Sequence, residues 1–108
     1  MVDEWDKVAH IEEIDEGGTL AAEVEDTEVC LYKVEGKVFA TTNKCSHGEA
    51  SLADGMIVDD FLIECPLHEG TFDIRTGAAV GAPCKAAIRC FDVQVKEGVI
   101  YLRREPVN

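Results

Sequence analysis

Two short stretches restrict this chain more than anything else in it. Lys44–Gly55 reads KCSHGEASLADG and holds Cys45 and His47 with one residue between them. Glu64–Asp73 reads ECPLHEGTFD and holds Cys65 and His68 with two residues between them. Both are loop sequences, rich in Gly or Pro, and each adjoins a strand. The segment joining them can form a hairpin, so a fold that uses both pairs together brings two loops to one tip. Two thiolates and two imidazoles make an S2N2 donor set, which suits zinc or an iron–sulfur cluster. Structural zinc often takes like pairs, two Cys or two His at short spacing. Here each pair mixes the types. A cluster with one Cys-ligated and one His-ligated iron would draw one ligand for each iron from each loop. The spacing fits that arrangement and leaves zinc open.

The rest of the chain reads as short strands separated by turns. TLAAEV (Thr19–Val24), VCLYKV (Val29–Val34) and KVFATT (Lys37–Thr42) are strand candidates, the last two joined by Glu35-Gly36. FLIEC (Phe61–Cys65) follows a turn at Asp59-Asp60, and Arg75-Thr76-Gly77 reads as another turn. In IRCFDVQV (Ile88–Val95), Ile88, Cys90, Asp92 and Gln94 share one face and Phe91, Val93 and Val95 the other. Glu97-Gly98 then turns the chain into VIYLR (Val99–Arg103). IEEI (Ile11–Ile14) reads as one short turn, and no segment sustains a 3.6-residue period. The expectation is an all-β domain, a small antiparallel sandwich spanning 1–108, with functional loops at about 43–53 and 64–72.

Composition removes several classes of function. Asp and Glu number 22 against 10 Lys and Arg, for a formal charge of −12. Phosphate would be repelled, which argues against a nucleic-acid partner. The N-terminal MVDEWDKVAH is acidic and has no apolar core of a secretory signal, and no apolar run reaches the length of a membrane span. Arg103-Arg104 lies near the C-terminus and is no export signal. The chain reads as cytoplasmic. In that reducing compartment its 5 cysteines are expected as ligands or buried thiols rather than disulfides.

CSHGEASLADG and CPLHEGTFD resemble the two cluster-binding boxes of Rieske proteins, C-x-H and C-x-x-H. The chain is most similar to the small Rieske-type ferredoxins of bacterial aromatic-ring-hydroxylating dioxygenase systems. That similarity runs through YKVEGKVFAT before the first box and GAAVGAPCKAAIRCFDVQVKEGVIYL after the second. It implies a Rieske-type [2Fe–2S] cluster. Cys45 and Cys65 would hold the inner iron, and His47 and His68 the outer iron near the surface, where electrons would enter and leave. It also implies a one-electron carrier that transforms no substrate itself. The donor would be an NAD(P)H-dependent flavin reductase and the acceptor a terminal ring-hydroxylating oxygenase, which chooses the aromatic substrate. Two ferric ions, two sulfides and two thiolates sum to a neutral site, whereas four thiolates leave it doubly negative. Adding an electron is therefore easier, and Rieske potentials span roughly −150 to +300 mV.

Respiratory Rieske proteins carry two further cysteines that clamp the loops as a disulfide, and Ser and Tyr hydroxyls directed at the cluster sulfurs. The matching residues here are Ala50 and Leu67 for the clamp, and Gly70 and Phe72 for the hydroxyls. Without those donors the extra charge of the reduced state is less stabilised, so a potential at about −150 mV is expected. Gly48 and Gly70 would let backbone pass close to the ligands, Pro66 would stiffen the second loop, and Gly81-Ala82-Pro83 resembles the family's proline loop. Glu49, Glu69 and Thr71 depart from residues common in the family, which bears on the docking surface. Cys30 and Cys90 fall in strands and read as buried thiols. Cys84 and His10 have no assigned role, and Trp5, Tyr32, Phe39, Phe91 and Tyr101 read as core or rim packing. The alternatives are a zinc-stabilised β binding module, a Rieske-like small subunit of nitrite reductase, and a fragment of an oxygenase large subunit. The last would need room for a catalytic iron domain.

Overall fold

The computed structural model describes residues 5–24, 26–44, 50–59, 61–66, 70–81 and 87–106. Among these described residues ten strands run β1 (Trp5–His10), β2 (Thr19–Val24), β3 (Thr27–Val34), β4 (Lys37–Thr42), β5 (Met56–Val58), β6 (Leu62–Glu64), β7 (Thr71–Asp73), β8 (Ala79–Gly81), β9 (Cys90–Lys96) and β10 (Val99–Pro106). They form two antiparallel sheets. The larger has the order β1-β10-β9-β4-β3-β2 and the smaller the order β5-β6-β7-β8. Ile11–Glu13 and Leu52–Asp54 are single 3₁₀ turns.

The VCLY run of β3 explains the layering. Val29, Cys30, Leu31 and Tyr32 are all fully buried, which a strand covered on both faces requires. Cys30, Tyr32 and Val34 point to one side, where they meet Leu52, Ile63, Cys65, Phe72, Ile74 and Ile88 under the small sheet. Val29 and Leu31 point to the other, where they meet Ala9, Ala40, Phe91, Ile100 and Leu102 from the same large sheet. The large sheet curls far enough that its outer strands β1 and β2 come into contact, enclosing that second core. The strand expected at Ile88–Val95 is shifted and only partly alternating. β9 begins at Cys90, and Ile88 before it joins the first core. Cys90 is buried with its thiol 4.0 Å from the Ile74 carbonyl, Phe91 and Val93 join the second core, and Val95 is exposed.

Both expected Glu-Gly turns form. Glu35 (φ 53°) and Gly36 (φ 76°) join β3 to β4, and Glu97 (φ 51°) and Gly98 (φ 81°) join β9 to β10. Left-handed backbone at both central positions matches the twist of the flanking strands. The Glu16 carboxylate accepts hydrogen bonds from the amides of Glu35 and Gly36, tying the loop before β2 to this turn.

The small sheet occupies one continuous stretch of chain. It departs from the large sheet after β4 and returns at β9, and β4 and β9 are neighbours: Thr41 pairs with Cys90, and the Thr42 amide donates to the Arg89 carbonyl at 2.9 Å. Ile57, Ile63, Phe72 and Ala79 lie opposite one another across the four short strands, on the face turned to the core.

Candidate metal centre

The first Cys/His stretch hangs from a stem built at Asn43. This residue is 1% exposed, just past the end of β4. Its amide donates to the Glu28 carbonyl at 3.0 Å, and its carbonyl accepts from the Leu52 amide at 2.7 Å. Its side chain completes the closure. Nδ2 donates to Ser51 Oγ at 2.7 Å and to Glu28 Oε1 at 3.2 Å, and Oδ1 accepts from the Ala53 amide at 2.9 Å. Lys44 and Ser51 form the bridge at the loop's neck.

The second stretch grows directly from the β6–β7 hairpin. Glu64 pairs with Thr71, and one residue on the Cys65 amide donates to the Gly70 carbonyl at 2.7 Å. Cys65 has no exposed surface and packs in the core with Leu52, Ile63 and Phe72. Pro66, the next residue, is exposed. Cys65 therefore sits in the core one residue before the exposed Pro66.

Glycines set how closely these segments approach. A Cβ on Gly55 would lie 2.0 Å from the Glu64 carbonyl oxygen. Only a residue without one lets the 3₁₀ turn that follows the first loop press against the strand that leads into the second. A Cβ on Gly81 would lie 2.5 Å from Thr71 Oγ1, so the start of the Gly81-Ala82-Pro83 segment abuts the exit of the second loop. Three loop bases thus share one end of the small sheet. At its opposite end, Arg75 forks onto Asp73, Nε to Oδ1 at 3.1 Å and Nη2 to Oδ2 at 2.9 Å. The guanidinium lies 4.3 Å above the Phe61 ring. That hydrogen-bonded cation draws the Asp73 carboxyl below its ordinary range, against a smaller opposing effect of burial.

Of the four expected ligands, Cys65 stands among the described residues; Cys45, His47 and His68 lie outside them. So do Gly48, Glu49, Leu67, Glu69, Ala82, Pro83 and Cys84. Among the described residues no three His, Cys, Asp or Glu side chains gather as a metal ion would require. Cys65 nevertheless fits a cluster. It is a thiol shielded from water, its amide bonded to the Gly70 carbonyl, beside the stem of the stretch that carries the other Cys/His pair. Cys30 and Cys90 are core thiols, as expected. Burial pushes the Cys30 thiol up to about 12 and that of Cys90 to about 11, so neither offers a thiolate at neutral pH. Sequence reasoning gave no role to Asn43, Ser51 or Gly55. An Asn two residues before the expected ligand Cys45 was the available signal.

Comparison with known proteins agrees with this geometry. The Rieske [2Fe-2S] domain matches residues 4–92. The chain belongs to the Rieske family. Its cofactor is the family's Rieske-type [2Fe–2S] cluster. Among curated Rieske relatives, the ferredoxin component of the naphthalene 1,2-dioxygenase/salicylate 5-hydroxylase systems of Ralstonia sp. is 37% identical over 105 residues, 97% of this chain and 100% of the relative. The naphthalene 1,2-dioxygenase ferredoxin component of Pseudomonas aeruginosa is 42% identical over 96 residues, 89% of this chain and 91% of its own. Among solved Rieske structures, the ferredoxin of carbazole 1,9a-dioxygenase from Nocardioides aromaticivorans IC177 superposes with a TM-score of 0.89 at 36% identity, covering 94% of this chain and 98% of that one. A ferredoxin–oxygenase complex of carbazole 1,9a-dioxygenase gives 0.87 at 34% identity, covering 96% of each chain.

Proposed function

We propose that this chain is a one-electron carrier, the ferredoxin component of an aromatic-ring-hydroxylating dioxygenase system. The observation that carries the reading is the alignment of 97% of the chain with the whole of a ferredoxin component, together with a fully buried Cys65 at the neck of the second loop. The family domain occupies the chain as one unit, 1–108, with cluster-binding loops at about 43–53 and 64–72. Cys45 and Cys65 supply the thiolates, His47 and His68 the imidazoles. When bound, the cluster supplies one-electron chemistry.

The residues around it do the rest. The core holds Cys65 out of water, which favours a thiolate only with a cation beside it. The electron donor is a flavin-dependent reductase and the acceptor a terminal oxygenase; that a solved relative forms a complex with its oxygenase supports the acceptor. Among the described residues no helix is long and apolar enough to cross a membrane, in keeping with a cytoplasmic carrier.

The test is an EPR spectrum of purified protein before and after dithionite, with iron, zinc and sulfide assayed. A silent oxidised sample that gains a rhombic signal of low average g is expected, with a midpoint at about −150 mV. A colourless protein, silent in both states and containing zinc, would overturn the reading. Replacing His47 or His68 by Cys should abolish the low average g; retention of that signal would remove them as ligands.

A further inference from the structure

Asn43 uses every hydrogen-bonding group it has. One donor and one acceptor of its backbone and three bonds of its side chain are satisfied, while 1% of the residue meets solvent. The bonds divide by destination. Two run to Glu28 on β3, the frame. Three run to Ser51, Leu52 and Ala53, which follow the loop carrying Cys45 and His47. Both ends of that loop are therefore referred to a single residue. The amide orientation is fixed by chemistry, because the Ala53 amide can only donate and so must face Oδ1. Nδ2 is left for Glu28 and Ser51. Asp would lack both donors, and Ser would offer one.

The residues that match the clamping cysteines of respiratory Rieske proteins are Ala50 and Leu67, so no disulfide can join those two positions. Fully satisfied buried polar networks fix geometry strongly, and losing one member leaves the others unpaired in low dielectric. Resting on the cluster reading above, we propose that Asn43 is a positioning residue for the metal centre: its side-chain amide, tied to Glu28 and Ser51, holds the first ligand loop in register with the second.

The experiment compares holo wild type with Asn43→Asp, Glu28→Gln and the double variant Asn43→Asp/Glu28→Gln. The single Asp places a carboxylate against the Glu28 carboxylate. In the double variant the amide that replaces the Glu28 carboxylate can donate to the new carboxylate, restoring the bond with reversed polarity, and Ser51 can turn its hydroxyl to donate. The readouts are the rate at which an iron chelator bleaches the oxidised protein and the g-values of the dithionite-reduced protein. We expect Asn43→Asp to bleach about tenfold faster or more with broadened g-values, and the double variant to recover most of both. Bleaching of Asn43→Asp at the wild-type rate, or a double variant as fast as the single, overturns the proposal. If Asn43→Asp accumulates without cluster, Ser51→Ala carries the test, since it removes one bond. Faster bleaching supports the role, and the wild-type rate overturns it. A wild-type protein with no Rieske signal instead sinks the electron-carrier reading itself.

Discussion

Gly55 and Gly81 both stand where a side chain would collide, yet the two collisions differ in kind. At Gly55 the obstacle is the Glu64 backbone carbonyl, and at Gly81 it is the Thr71 hydroxyl. A backbone carbonyl in a ladder has nowhere to go, whereas a hydroxyl can rotate or be removed. Gly55→Ala should therefore lower unfolding stability by about 3 kcal/mol, with no single partner able to restore it. Gly81→Ala should cost about 1 kcal/mol, and adding Thr71→Ala should recover most of that. Denaturant melts of these variants against wild type decide. A Gly81→Ala loss that Thr71→Ala leaves untouched would put the obstruction elsewhere. Cys30 makes a residue-scale prediction about pH. Burial raises its thiol from 9.0 to about 12, partly offset by the Tyr32 hydroxyl. The unfolded chain then sheds that proton first as pH rises. The stabilising effect is complete below about pH 9 and drains away toward pH 12, at about 1.4 kcal/mol per pH unit. Urea midpoints at pH 9, 10 and 11 should fall less steeply in Cys30→Ala.

Between strands, one buried pair ties β3 to β4. The Tyr32 hydroxyl lies 2.8 Å from Thr41 Oγ1, and Thr41 Oγ1 itself donates to the Thr42 carbonyl at 2.9 Å. Thr41's proton is committed, so Tyr32 is the donor of the pair. Tyr32→Phe leaves Thr41 its bond to the Thr42 carbonyl and should cost about 1 kcal/mol; Thr41→Val takes the oxygen partner from a buried phenol whose other neighbour is the weakly accepting Cys30 thiol, and should cost about 2 kcal/mol or more. Thermal melts showing the reverse order would contradict that donor assignment. The same scale explains what the amino-acid sequence revealed. β2 and β4 are read to the residue, and both Glu-Gly turns fall where expected, because alternation and left-handed turn chemistry are local. Val29–Val34 is found but begins at Thr27, since the exposed Thr27 and Glu28 carry no apolar signal. β1 escapes notice: it is an outer strand with a register shift after Lys7, and Ala9 is its one buried residue. β5, β7 and β8 have three residues each, too few to show a period. Phe61 and Cys65 flank β6 rather than belong to it, since they turn the chain. The Cys/His pairs stand out as candidate ligands because metal-binding chemistry is written in residue type and spacing. The Asn43 stem is not, because its value lies in where Glu28, Ser51 and Ala53 arrive in space.

At the scale of the molecule, charge governs encounters. A surplus of 12 negative charges should draw in partners with basic docking faces and keep copies of the carrier apart. Raising ionic strength from about 0.01 M to about 0.15 M shortens the screening length from about 30 to about 8 Å. The bimolecular rate of electron transfer, followed by stopped flow, should then drop about tenfold or more. A rate indifferent to salt would mean that apolar contact governs docking instead. The two-sheet design has a further consequence. The chain departs for the small sheet from Thr42 and comes back at Arg89, residues already joined by a hydrogen bond. The four residues proposed as cluster ligands, Cys45, His47, Cys65 and His68, all lie between two positions that touch. Such a segment is a cassette: it can be lengthened, shortened or exchanged for another redox head while the frame keeps its own strand pairing. What the graft must preserve is the inward row of Ile57, Ile63, Phe72 and Ala79, the side chains through which the head grips its base. Evolution could thus retune the electron without redesigning the protein that carries it.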